Sequence, residues 1–131
     1  MDHTKIDKYI EEHRILNKKS STFVEYLYQM MDKKGFDNPT LYNKANISRQ
    51  LFSSIISEKS NPSLNVCLKI VFALELSNSE CKYLLKKAGY TLASSSKYAL
   101  IIRYFIENGI YDLDLLNKTL EEYGFENSLI Y

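Results

Sequence analysis

The apolar residues between positions 38 and 57 follow no single helical period. Leu41 and Ala45 are four apart, Ile47 comes two later, and Phe52 and Ile55 are three apart. One continuous helix cannot bury all of these on one face. Two short amphipathic helices at a steep angle can, with Asn46 and Ile47 in the turn between them. Asn46 suits such a turn because asparagine tolerates a left-handed backbone better than other non-glycine residues. Ser48 is then the predicted N-cap of the second helix, which opens on two long polar side chains, Arg49 and Gln50.

A helix-turn-helix presents such side chains to the DNA major groove from the start of its second helix. These residues resemble the Cro and phage-repressor class of helix-turn-helix domains, often called the XRE family. The run Lys59-Ser60-Asn61-Pro62-Ser63-Leu64 is similar to that family's basic loop, in which Pro-Ser-Leu opens the next helix. Residues 68–77 resemble the helix and exit turn that follow, so the likeness spans residues 23–89. It implies a five-helix repressor-like core, sequence-specific binding to duplex DNA, and a role in regulating transcription.

The chain departs from the family pattern at several places. Tyr42 stands where the family has a small residue, and Asn46 and Glu58 stand where it has glycine. A family ion pair between the first helix and the end of the second corresponds here to Met31 and Ile56, both apolar. Replacing a buried ion pair by apolar residues is often neutral or stabilising. The fold survives such changes more readily than the ligand does.

For DNA contact, Arg49 and Gln50 are the expected base readers. Arginine bridges guanine O6 and N7, and glutamine does the same for adenine N6 and N7. Ser53 and Ser54 lie one turn further on. Asn38 and Thr40, at the start of the first helix of the pair, are expected to reach phosphates from a helix N-terminus. Lys59 is a phosphate contact by charge. A polar solvent-facing helix accounts for the same residue types without any ligand.

The net charge of +1 argues against a strongly basic nucleic-acid binder, so distribution matters more than the sum. Lys82, Lys86, Lys87, Lys97 and Arg103 fall in an acid-free stretch between Cys81 and Ile106. Beyond it, six acidic residues face Lys118 alone. Two arrangements fit: a phosphate-facing middle with an acidic tail turned away, or solvated helix faces with local pairing.

With 131 residues, 45% of them hydrophobic, the chain is long enough to bury a core unaided. The sequence has no membrane-length apolar run, and its start lacks the apolar region of a signal peptide, so a cytoplasmic domain is expected. Cys67 and Cys81 lack metal-ligand or redox spacing and are expected to be reduced, buried thiols.

Helical signals run nearly throughout, giving an all-α fold. Ile6, Tyr9, Ile10 and His13 form a stripe on a first helix, followed by a Lys- and Ser-rich linker over residues 16–21. Thr22 to Glu25 and Ser77 to Glu80 are predicted capping boxes, and Ser63 a further N-cap. Gly35, Gly89, Gly109 and Gly124 mark helix ends. The expected organisation is an N-terminal helix and linker (1–21), a helix-turn-helix domain (22–89) and a C-terminal helical extension packed on it (90–131).

Residues 95–112 resemble the end of helix-turn-helix segments that follow macro domains in some Gram-positive bacterial proteins. No macro domain accompanies them here, so no ADP-ribose chemistry carries over. Tyr98, Ile101, Ile102, Phe105, Leu113, Leu116 and Leu120 either cap the core or form a dimer seam. A homodimer through that seam is expected, because one helix-turn-helix reads only a few base pairs. The alternative is a protein-interaction module that keeps the fold and docks a partner through the C-terminal helices.

Nothing points to catalysis. There is no Gly-rich phosphate loop, His-Glu-x-x-His or Gly-x-Ser-x-Gly, and the paired acids Glu11-Glu12 and Glu121-Glu122 diverge along a helix. His3 and His13 and the eleven tyrosines suit solvent or packing roles. No enzyme activity, cofactor or metal is expected.

Overall fold

The computed structural model describes residues 3–16 and 22–131, and all regular structure among them is α-helical. The helices are α1 (Thr4–Leu16), α2 (Phe23–Lys34), α3 (Asn38–Lys44), α4 (Arg49–Ile56), α5 (Leu64–Leu74), α6 (Asn78–Lys87), α7 (Lys97–Glu107) and α8 (Leu113–Glu122). The expected linker lies outside the described residues apart from Leu16, which ends α1.

Local chemistry sets the helix starts. Ser48, Ser63 and Ser77 each turn a hydroxyl oxygen onto the amide three residues on, satisfying an orphan donor of the first turn. At Ser77 the box is complete, since Glu80 accepts from the Ser77 amide at 2.9 Å. Glu80 also takes the Lys33 ammonium of α2 at 2.9 Å, tying α2 to α6. Burial opposes the charge on Glu80, but these bonds outweigh it and hold the carboxyl below its ordinary value. At Thr22 only the forward half of the expected box forms, because the Glu25 carboxylate takes the Thr22 hydroxyl instead.

The core is organised around α5. Every residue from Cys67 to Leu74 is buried, Lys69 included. A helix apolar on all sides has to be enclosed by its neighbours. Tyr26, Leu27, Met30 and Met31 come from α2, Leu41 from α3, Phe52 and Ile55 from α4, and Leu84 and Leu85 from α6. The same core takes in Ile102 and Phe105 of α7 and Leu116 and Leu120 of α8. Tyr98, Ile101 and Leu113 are half-buried against it. The C-terminal pair therefore packs on the core, and four of the seven residues expected at a dimer seam (Ile102, Phe105, Leu116 and Leu120) are buried within the chain.

Two features go beyond what the sequence indicates. The stripe on α1 is not buried: Ile6, Tyr9, Ile10 and His13 are all exposed, and Tyr9 and His13 stack on each other at 3.9 Å. From Thr4 to His13 every residue of α1 is exposed, so this stretch draws little support from packing. The chain beyond Gly124 also does more than end a helix. Ile130 is buried, and the Asn117 side-chain amide both donates to its carbonyl and accepts from its amide, each at 2.7 Å. Asn65 of α5 donates to the Leu129 carbonyl, and the Tyr98 hydroxyl to that of Ser128.

The thiols lie within this core as expected. Burial, with Cys81 nearby, pushes Cys67 up to about 12, and burial alone pushes Cys81 up to about 11. A folded-state value above the ordinary thiol value of 9.0 means that this contribution to stability is intact below pH 9. It is lost as pH rises toward the folded values.

Two predictions follow from this packing. Asn117→Leu leaves both backbone groups of Ile130 unpaired and is expected to lower unfolding free energy by about 2–4 kcal/mol in urea melts. An unchanged melt would show that the tail does not need the amide. Stability is also expected to fall between about pH 9 and pH 11. The double variant Cys67→Ala/Cys81→Ala should flatten that decline relative to the parent, whatever its stability at neutral pH.

Candidate nucleic-acid interface

Helix α3 is capped by Asp37, whose carboxylate accepts the Thr40 amide at 2.9 Å, with Pro39 in the first turn. It ends after seven residues. Asn46 then takes up φ 55°, the left-handed conformation expected for it, and its amide donates to the Asn43 carbonyl at 3.2 Å. Ile47 is buried in the turn, with its amide on the Tyr42 carbonyl at 2.9 Å. Ser48 caps α4 by accepting the Leu51 amide at 3.1 Å.

Sequence reasoning missed the group that anchors this turn. The Lys69 ammonium, on α5, donates to the Asn46 carbonyl at 2.8 Å from a buried position. Burial lowers its pKa from the usual lysine value, so the charge carries a desolvation cost that the carbonyl offsets. Lysine is the only charged residue of the α5 run Leu-Asn-Val-Cys-Leu-Lys-Ile-Val-Phe-Ala-Leu. That isolation was the available signal.

Across the turn, Tyr42 of α3 packs on Phe52 of α4 with ring centroids 5.6 Å apart. The large residue at position 42 is thus accommodated by an aromatic contact. Met31 is buried and Ile56 half-buried, so neither position holds a charge.

Six of the seven expected contact residues are exposed: Asn38, Thr40, Arg49, Gln50, Ser53 and Lys59. Ser54 is half-buried, and its carbonyl takes the Lys59 amide at 2.9 Å and the Ser60 amide at 3.2 Å, closing the loop after α4. Asn38, Arg49 and Ser53 come together along an open groove of about 600 Å³ between α3 and α4, floored by Tyr42, Phe52 and Ile56. Thr40, Gln50, Ser54 and Lys59 do not line that groove. Leu51, which sequence reasoning passed over, is exposed on α4 between Gln50 and the buried Phe52.

The surrounding charge is less basic than the sequence suggests. Hydrogen bonds from the Thr40 hydroxyl and amide hold the Asp37 carboxyl below its ordinary value, so a carboxylate already occupies the N-terminus of α3. An Asp three residues before Thr40, ahead of Asn-Pro, was a readable cap signal. Lys44 lies 3.8 Å from Glu75 and over the Phe36 ring. Lys82, Lys86 and Arg103 line a separate cavity between α6 and α7.

Compared with known protein families, curated proteins and solved structures, the chain matches none of them. Among the described residues, no cluster of His, Cys, Asp or Glu can hold a metal ion. No helix among them is long and apolar enough to cross a membrane.

Lys69→Ala is expected to lower unfolding free energy by about 1.5–3 kcal/mol, the range for hydrogen bonds to charged groups. It should also speed hydrogen exchange at the Ile47 and Leu51 amides. Parental stability and unchanged exchange would show that the turn holds without the ammonium.

Proposed function

We propose that this chain binds duplex DNA sequence-specifically as a transcriptional regulator, with α3 and α4 as a repressor-like helix-turn-helix and α4 in the major groove. The supporting observation is that Arg49 and Gln50 are exposed at the start of α4 while Phe52 and Ile55, on the same helix, are buried in the core. Groove-reading helices present their N-terminal side chains from a face opposite the packed one. Arg49 takes a guanine edge, Gln50 an adenine edge, and exposed Leu51 offers apolar surface to a thymine methyl. Ser53 extends the face by a turn, and half-buried Ser54 contributes least. Asn38, the Thr40 side chain and Lys59 flank α4 and meet phosphates.

Asp37 works against this assignment at one point, since phosphate approaching α3 meets a carboxylate. A two-fold pair reading half-sites about 34 Å apart has Leu100 and Tyr104, among other exposed apolar residues, to close over. These two lie one turn apart on α7 and stay exposed. The apolar floor of the α3–α4 groove favours a second reading, a protein-interaction module that retains the fold.

Titration with random duplex DNA at roughly 50 mM salt and tens of micromolar protein should give measurable binding. It should weaken by a log–log slope of about −0.9 per phosphate contact. At a selected site Arg49→Ala should lose about 1–3 kcal/mol and relax base preference, whereas Lys59→Ala weakens all sequences alike. Asp37→Asn keeps a good cap and should strengthen binding. Absence of binding at low salt favours the interaction module, and equal, sequence-independent losses would confine Arg49 to phosphate.

A further inference from the structure

The acid-free basic stretch in the middle of the sequence, which the DNA-binding face does not use, forms a different feature. Between α6, the 90–94 loop and α7 lies a cavity of about 370 Å³. Its accessible apolar lining comes from Tyr90, Leu92 and Ala93, with Leu85, Ile102 and Ile106 buried behind them. Lys82, Lys86 and Arg103 also line it, and no lining residue is acidic. These three side chains are exposed at the surface, and none of them has a carboxylate partner among the described residues.

The walls are held in place by bonds that do not involve the cationic groups. The Asn78 side chain donates to the Arg103 carbonyl at 3.3 Å, joining α6 to α7. The Tyr90 hydroxyl donates to the Pro62 carbonyl at 2.9 Å, anchoring the loop. The volume lies within the range of small-molecule sites, about 300–1,000 Å³. At about 30 Å³ per water-sized volume, it takes a ligand of roughly ten to twelve non-hydrogen atoms.

We propose that this cavity binds a small free amphipathic anion, an apolar chain or ring of about that size bearing one carboxylate. The apolar part lies against Tyr90, Leu92 and Ala93, and the carboxylate meets Lys82, Lys86 and Arg103. Uncompensated cations beside an apolar wall favour such a ligand over an uncharged one by charge-assisted hydrogen bonds. The site shares no lining residue with the α3–α4 groove and stands independently of DNA binding.

Octanoate is a suitable probe, with 1-octanol as its uncharged counterpart, each titrated into the full chain and followed by amide chemical shifts. Octanoate should bind saturably below about 1 mM, with shifts centred on residues 78–106, and octanol more weakly. Lys82→Gln/Arg103→Gln should weaken octanoate by about tenfold or more and leave octanol unchanged. Ala93→Trp, at an exposed lining position, should exclude both probes while the other amides keep their native positions. No saturation by octanoate, equal binding of octanol, or binding by Ala93→Trp equal to that of the parent would each overturn the proposal. So would attachment to phosphatidylglycerol vesicles without binding of free octanoate, which would make the surface membrane-facing.

Discussion

The enclosure of α5 sets the terms for the other helices. Its residues from Cys67 to Leu74 leave no polar face to turn toward water, so α2, α3, α6 and the C-terminal segment lie around it. Its one charged residue, Lys69, is buried there, and a hydrogen-bond acceptor lowers the cost of that burial. The carbonyl of left-handed Asn46 supplies one. The turn ahead of α4 is thereby held to the central helix by a side-chain bond as well as by the burial of Ile47. The direction in which Arg49 and Gln50 project is inherited from the core.

Much of the helical framework was legible because its signals are short-range. A serine hydroxyl and the amide three residues on settle a helix start with little help from the rest of the chain, as at Ser48, Ser63 and Ser77. Asn46 was legible for the same reason, since its backbone preference is its own. What escaped were contacts between distant segments. Nothing near Asn117 indicates that its amide will meet Ile130, and nothing near Lys69 names Asn46 as its acceptor. The stripe on α1 shows the converse: the periodicity is present, yet Ile6, Tyr9, Ile10 and His13 are exposed. Whether α7 and α8 cap or pair was likewise undecidable locally, since the answer depends on how much of the core the other helices leave open.

At the candidate site, helical periodicity identified which side chains reach solvent, and the exposed set includes Arg49, Gln50 and Ser53. It did not give their electrostatic setting. Lys44 is drawn toward Glu75, Asp37 places a carboxylate at the start of α3, and part of the basic middle lines the α6–α7 cavity. A near-neutral total charge hides this partition. Among the described residues, Arg49 and Lys59 lie on or just after α4, whereas Lys82, Lys86 and Arg103 line the α6–α7 cavity.

The paired bonds between Asn117 and Ile130 have a consequence for how the last segment is indexed. A primary amide offers one donor and one acceptor side by side, the same pair that an extended strand offers its neighbour. Asn117 therefore matches a single residue of the tail. A shift in either direction would bring Leu129 or Tyr131 to the amide and swing Ile130 out of the core. Asn117 acts as a register pin, fixing which residue of an otherwise irregular segment faces inward.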